Sequence, residues 1–270
     1  MLSDNWGLMP YLFQIGKIKI GSYQFFMFLA IITGVIIYKY ELKKENIKNK
    51  DAIFIVLSAI TFGSIGAKIP LIFMYWDKIK VNPIIIILSG RTIVGALIGG
   101  FLGTFLAKKI LNVKSKLGNQ IAIPVAFTMA IGRFGCLLRG CCYGKPTSLF
   151  FGLDFGDHIM RYPTQVFEII FDFLLGILLI YIKKNKELKD GELFKIFLTF
   201  YLTFRFFLEF IRIEKIAFFI FTDFQILCFI TVIFINRVFI FDSIQSWRRK
   251  NVNKWNHSKY ESWRTYRFKQ

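Results

Sequence analysis

The chain has 270 residues, 55% of them hydrophobic and 33 of them phenylalanine, with mean hydropathy +0.50 and a net charge of +19. Apolar content at this level, carried in long runs, excludes an ordinary soluble enzyme and indicates an all-α integral membrane protein. The positive charge is dispersed over several loops, so nucleic acid is the weaker reading and no nucleic-acid partner is expected.

Seven apolar stretches come close to the length that a bilayer core demands, at about residues 21–40, 53–75, 83–107, 118–138, 164–183, 193–211 and 217–240. The segment MLSDNWGLMPYLFQIG before the first stretch lacks a basic leader region and carries Asp4, so it reads as a short external segment preceding a retained helix. Pro70, Pro83, Pro124 and Pro163 fall in or near spans, where neighbouring helices can tolerate them. No internal repeat or soluble domain is evident. Residues 1–240 therefore read as one seven-helix transmembrane domain, and 241–270 as a basic, aromatic-containing cytoplasmic tail. That tail either lies along the inner leaflet or forms a disordered anchor.

Loops 41–52, 108–117 and 183–192 with the tail from 237 hold 21 Lys and Arg, and the opposite side holds nine. The positive-inside rule then places the N-terminus outside and the C-terminus in the cytoplasm. The excess charge is a topology signal and an adhesive for anionic inner-leaflet lipid.

Inside the apolar stretches stand Lys68, Arg91, Arg133 and Arg205. A charge within a membrane helix costs roughly 2.5–3.5 kcal/mol on insertion scales and marks a functional site with a partner. On this topology all four sit about 8–12 Å into the outer half, from a rise of 1.5 Å per residue. Glu168, Asp172, Glu209, Asp223 and Tyr23 fall in the same half, and the inner halves hold almost nothing ionisable beyond Lys39 and Lys195. Four cations at one depth suit a phospholipid headgroup. The plainer alternative is structural ion pairs between helices, for example Arg205 with Glu209 one turn later. Gly63, Gly66, Gly90, Gly95, Gly99, Gly132 and Gly135 are likewise open to two readings, close helix packing or room for a headgroup.

These motifs resemble the bacterial phosphatidylglycerol–prolipoprotein diacylglyceryl transferases, in order from about residue 15 to 235. Ile15-Gly16 followed by Tyr23 looks like the first-helix pattern with its functional tyrosine. Gly66-Ala67-Lys68-Ile69 is similar to a Gly-Gly-Arg-Ile segment. Residues 90–99 (GRTIVGALIG) look like the Ser-Phe-His-Gly-Gly-Leu-Ile-Gly region. Ile131-Gly132-Arg133-Phe134-Gly135, with Gly140 and Gly144, matches the family signature. Residues 161–168 (RYPTQVFE) resemble Arg-His-Pro-Ser-Gln-Leu-Tyr-Glu, and 201–212 (YLTFRFFLEFIR) resemble the Tyr-Gly-x-x-Arg-x-x-x-Glu-x-x-Arg helix. Gln225-Ile226-Leu227 matches Gly-Gln-Ile-Leu. Three positions depart from the pattern: Val94 for a histidine, Cys136 for Asn and Cys141 for Glu.

The resemblance implies transfer of the diacylglyceryl group of phosphatidylglycerol to the lipobox cysteine of a lipoprotein precursor, at the outer leaflet of the bacterial cytoplasmic membrane. The partners it implies are phosphatidylglycerol, lipoprotein precursors and membrane lipids, with no cofactor. Arginine suits the departing phosphate because its fork is permanently charged. Arg133, Arg205 and Tyr23 are the expected catalytic residues. Lys68, Arg91, Gly132, Gly135, Gly144, Gln165, Glu168, Tyr201, Glu209 and Arg212 are expected to bind substrate. A divergent acceptor or a non-catalytic lipid-binding protein is the alternative. The base stays open among His158, Tyr23, Glu168 and Glu209; His257 falls on the wrong side.

Cys136, Cys141 and Cys142 form a C-x4-C-C cluster, with Cys228 apart. They read as small packing residues, as a disulfide or redox pair, or as covalent catalysts. No metal is expected, since no histidine or carboxylate falls at ligand spacing beside them.

Overall fold

The computed structural model describes residues 6–16, 18–44, 49–74, 80, 92–112, 117–189, 191–213 and 216–237. A short hairpin of β1 (Tyr11–Ile15) and β2 (Ile18–Gly21) leads into helix α1 (Ser22–Lys44). The backbone N–H of Ser22 donates to the carbonyl of Pro10 at 3.0 Å, which ties the start of α1 to the hairpin. Helices α2 (Asn49–Gly66), α3 (Ile69–Met74), α4 (Ile93–Leu111) and α5 (Leu117–Arg139) follow. A hairpin of β3 (Leu153–Asp154) and β4 (Met160–Arg161) precedes α6 (Thr164–Asn185) and α7 (Glu192–Leu208). A 3-10 turn (Glu209–Ile211) and strands β5 (Ile216–Phe218) and β6 (Phe221–Thr222) come next. The chain divides into two compact units, Met1–Phe229 and Ile230–Gln270; residues 223–229 are helical in the first and 230–237 in the second.

Small residues decide which helices meet. Helix α5 presents Ala122, Ala126 and Ala130, all at most 1% exposed, so α1, α6 and α7 can pack against it closely. Helix α4 lies on α2 through glycines: a Cβ on Gly66 would stand 2.4 Å from the Gly95 carbonyl oxygen, and one on Gly99 2.3 Å from that of Phe62. Close packing is therefore what these glycines, with Gly63, provide. Helix α4 stops at Asn112, whose φ of 51° is left-handed, with Lys108 and Lys109 in the last turn opposing the helix dipole.

Among the described residues, five helices are long and apolar enough to cross a membrane: Ser22–Lys43, Ile53–Ile72, Ile93–Leu111, Gly118–Arg139 and Thr164–Asn185. Helix α7, at 17 residues, is shorter than these five. The last expected span is described only to residue 237, and Arg91 and the tail 241–270 lie outside the described residues.

Two basic residues occupy distinctive points of the packing. Lys68 is at a break between α2 and α3, where Thr92 turns both its N–H (2.9 Å) and its hydroxyl (3.0 Å) onto the Ala67 carbonyl. Lys183, counted above as a loop charge, donates to Glu41 and to Gln120, joining α6 to α1 and α5 at the opposite end of α6 from Thr164. Glu41 is only 5% exposed, so that end of the helices holds a buried ion pair.

The β3–β4 hairpin is locked by charge. Arg161 donates to both carboxylate oxygens of Asp157 at 2.5 Å, and its guanidinium lies 4.8 Å from the centre of the Tyr143 ring. The Arg161 hydrogen bond holds the Asp157 carboxyl below its usual range, and the backbone N–H groups of Gly156, Asp157 and His158 do the same for Asp154. A depressed folded-state pKa gives stability that is present above the ordinary carboxylate value and is lost as pH falls through the folded one. Amide-exchange protection of residues 153–161 is therefore expected to hold at neutral pH and to fall below about pH 4. Asp157→Asn should flatten that dependence; a wild-type profile already flat across the range would overturn it.

Candidate functional site

The site is built where one end of α5, α6 and α7 meet. Helix α5 ends in a Schellman motif. The N–H of Gly140 donates to Leu137 at 3.1 Å and that of Cys141 to Cys136 at 3.0 Å, with Gly140 left-handed at φ 68°. Glycine is required there twice over, since a Cβ would lie 2.7 Å from the Cα of Gly7. Cys142 follows at φ 65°, a left-handed conformation that costs a non-glycine residue about 1–3 kcal/mol.

That strained turn is tied down by its neighbours. The Cys142 carbonyl accepts from the Thr164 hydroxyl at 2.5 Å and from Arg212 Nη1 at 3.2 Å, and the Cys141 carbonyl accepts from Gln165 Nε2 at 2.6 Å. Gly144 donates to Tyr162 at 2.8 Å, and a Cβ on it would come within 2.5 Å of the Ile211 carbonyl oxygen. Gly144 is thus fixed by close backbone approach.

On α6, residues 165, 168 and 172 recur at helical spacing and line one buried face, and on α7 Tyr201 and Arg205 do the same. These faces and that of α5 build a chain of alternating charge. Arg133 Nη2 donates to Glu168 Oε1 at 2.8 Å, and Arg205 Nη1 reaches the same oxygen at 3.1 Å. Arg205 Nη2 lies 2.8 Å from Glu209 Oε2, and Arg212 Nε stands 3.7 Å from that oxygen. Glu168 is fully buried, and Arg133 and Arg205 are 6% and 7% exposed. Both the ion-pair reading of Arg205–Glu209 and the convergence of Arg133 with Arg205 therefore hold at once.

A guanidinium carries five N–H donors. Arg133 and Arg205 each spend one or two on carboxylates, so the pair is oriented by Glu168 without being exhausted by it. Around them lie buried polar atoms that have no hydrogen-bond partner among the described residues: Glu168 Oε2, both oxygens of Asp172, Tyr201 Oη and Gln165 Oε1. Buried polar atoms are normally satisfied, so a cluster of this kind marks a place that a polar ligand or water completes.

The remaining expected residues scatter. Tyr23 is 39% exposed, and its Cα lies 3.1 Å from where a Cβ on Gly135 of the site helix would be. Gly132 has more room, the nearest atom to such a Cβ being Met27 Sδ at 3.5 Å. Lys68 is half-buried at the α2–α3 break. His158 is a fully exposed side chain in the hairpin turn, 3.7 Å from Asp154 and apart from the arginine chain. Asp172, to which the sequence assigns no role, lies on the same face through its spacing from Gln165 and Glu168.

Fold and site together define a polytopic helical membrane protein with a buried cluster in which two guanidinium groups meet on one carboxylate. A family model described as prolipoprotein diacylglyceryl transferase matches residues 10–241, and the chain belongs to that family. It is 35% identical over 213 residues to the phosphatidylglycerol–prolipoprotein diacylglyceryl transferase of Clostridium tetani, covering 75% of this chain and 85% of that protein. The enzyme numbered 2 in Clostridium perfringens is 36% identical over 215 residues (74% and 81%). That of Clostridioides difficile is 31% identical over 208 residues (76% and 83%).

Proposed function

We propose that the protein transfers the diacylglyceryl group of phosphatidylglycerol to the lipobox cysteine of prolipoproteins. The reading is carried by the convergence of Arg133 and Arg205 on one oxygen of Glu168 in a member of this family. The sulfur attacks the glycerol carbon next to the phosphate, a C–S bond forms and the C–O bond breaks. Glycerol phosphate leaves and takes up, in the overall balance, the thiol proton. The two guanidinium groups hold the phosphate and stabilise the charge that gathers on it, a preorganised electrostatic contribution. Glu168 positions both, and Gln165, Tyr201, Glu209 and Arg212 shape the surroundings.

Seven spans, with the N-terminus outside and the site facing the outer leaflet of the cytoplasmic membrane, are the topology this function needs. The distribution of Lys and Arg supports it. One observation favours a second reading. Val94 is buried at 2% exposure where the family resemblance expects a histidine, which suits a paralogue that keeps the phospholipid and changes the acceptor.

Purified protein incubated with phosphatidylglycerol and a lipobox peptide is expected to add the diacylglyceryl mass to the peptide cysteine, and Arg133→Ala is expected to abolish the addition. Lipid binding that depends on Arg133 without peptide modification would favour the paralogue.

A further inference from the structure

The transfer chemistry leaves Cys136, Cys141 and Cys142 unused. Their three sulfurs all lie within 4.8 Å of one another, and none of the three is in a disulfide. The Schellman turn produces this clustering: it folds Cys141 back over Cys136, and the left-handed backbone at Cys142 follows directly. Thr164, Gln165 and Arg212 then clamp the carbonyls of Cys141 and Cys142.

Three sulfurs make a different object from two. A disulfide would use one pair and orphan the third. A tetrahedral thiolate site with metal–sulfur bonds of about 2.3 Å needs its sulfurs about 3.8 Å apart, within small side-chain adjustments of the arrangement present. Charge agrees with this. Three thiolates around a divalent cation leave one net negative charge, and Arg212 reaches the same turn through its 3.2 Å bond to the Cys142 carbonyl, with Arg133 one helical turn before Cys136. The sequence expectation of no metal rested on the lack of a neighbouring histidine or carboxylate; the turn makes a third thiol the missing ligand.

We propose that Cys136, Cys141 and Cys142 form a three-thiolate site for one thiophilic divalent cation of the zinc class. Three protein ligands leave a fourth position open, the pattern of reactive rather than purely structural zinc. In a protein whose substrate is a thiol, that position would hold the substrate sulfur as a thiolate. This last role rests on the transferase reading; the site itself does not.

The test uses reduced full-length protein in detergent, without phospholipid or peptide, titrated with Cd2+ as the zinc stand-in. A thiolate-to-cadmium charge-transfer absorption saturating at one ion per chain is expected. Cys136→Ser, Cys141→Ser and Cys142→Ser should each weaken binding roughly tenfold or more, and Cys228→Ser should leave it unchanged. Alkylation with peptide mapping on the wild type removes any dependence on how the variants fold: Cd2+ must shield those three cysteines. Absence of the absorption, or labelling of the three that Cd2+ does not alter, would overturn the site. Because phospholipid and peptide are absent, either result is independent of whether diacylglyceryl transfer occurs.

Discussion

Glu168→Gln is expected to lower the stability of the helical unit by about 3–5 kcal/mol and to cut transfer on the order of a hundredfold. The side chain keeps its volume, so the loss comes from charge alone. Glu168 Oε1 is the acceptor for Arg133 at 2.8 Å and for Arg205 at 3.1 Å, in a place where none of the three groups reaches water freely. Removing that charge leaves two buried guanidinium groups facing each other, with Arg205 still paired to Glu209. Thermal unfolding in detergent reads the first effect and mass spectrometry of the lipobox peptide the second. Glu168→Asp, which restores the charge on a shorter stem, should recover most of the stability and little of the transfer. An unfolding temperature for Glu168→Gln equal to that of the wild type would mean that the two arginines are held by something else.

Much of this site could be read from the chain because charge inside an apolar run has so few explanations. Arg133, Glu168, Arg205 and Glu209 announced themselves in that way, and the helical spacing of residues 165, 168 and 172 was already written in the sequence. The partnerships were not. Which carboxylate serves which arginine depends on the rotation of α5, α6 and α7 about one another, and that is set by small residues such as Ala126 whose significance appears only when the helices are packed. The helix break at Lys68 was partly legible. Gly66 and Pro70 flank it in the sequence, but the Thr92 side chain that stabilises it comes from 25 residues away. Lys183 was less legible, since a basic residue at a helix end looks like a loop charge until its partner Glu41, 142 residues earlier, is placed beside it. The clustering of three cysteine sulfurs depended on a left-handed backbone at Cys142, a conformation that nothing in the residue type favours.

Two glycines that look equivalent in the sequence are expected to behave oppositely. Gly99→Ala puts a methyl group 2.3 Å from the Phe62 carbonyl oxygen and 3.0 Å from the Cα of Gly66, both backbone atoms that cannot turn aside. Helices α2 and α4 must then separate, and a loss of about 1–3 kcal/mol is expected, read as a lower unfolding temperature. Gly132→Ala meets nothing closer than Met27 Sδ at 3.5 Å, an ordinary contact, and alanine is the better helix former. Its fold should be as stable as the wild type or slightly more so. Gly132 stands next to Arg133, so the variant separates the two uses of glycine that the sequence left open. If transfer falls while stability holds, the missing side chain at 132 is making room for lipid beside the guanidinium. If both are unchanged, the glycines of this chain serve helix packing, and the phospholipid approaches Arg133 from another side.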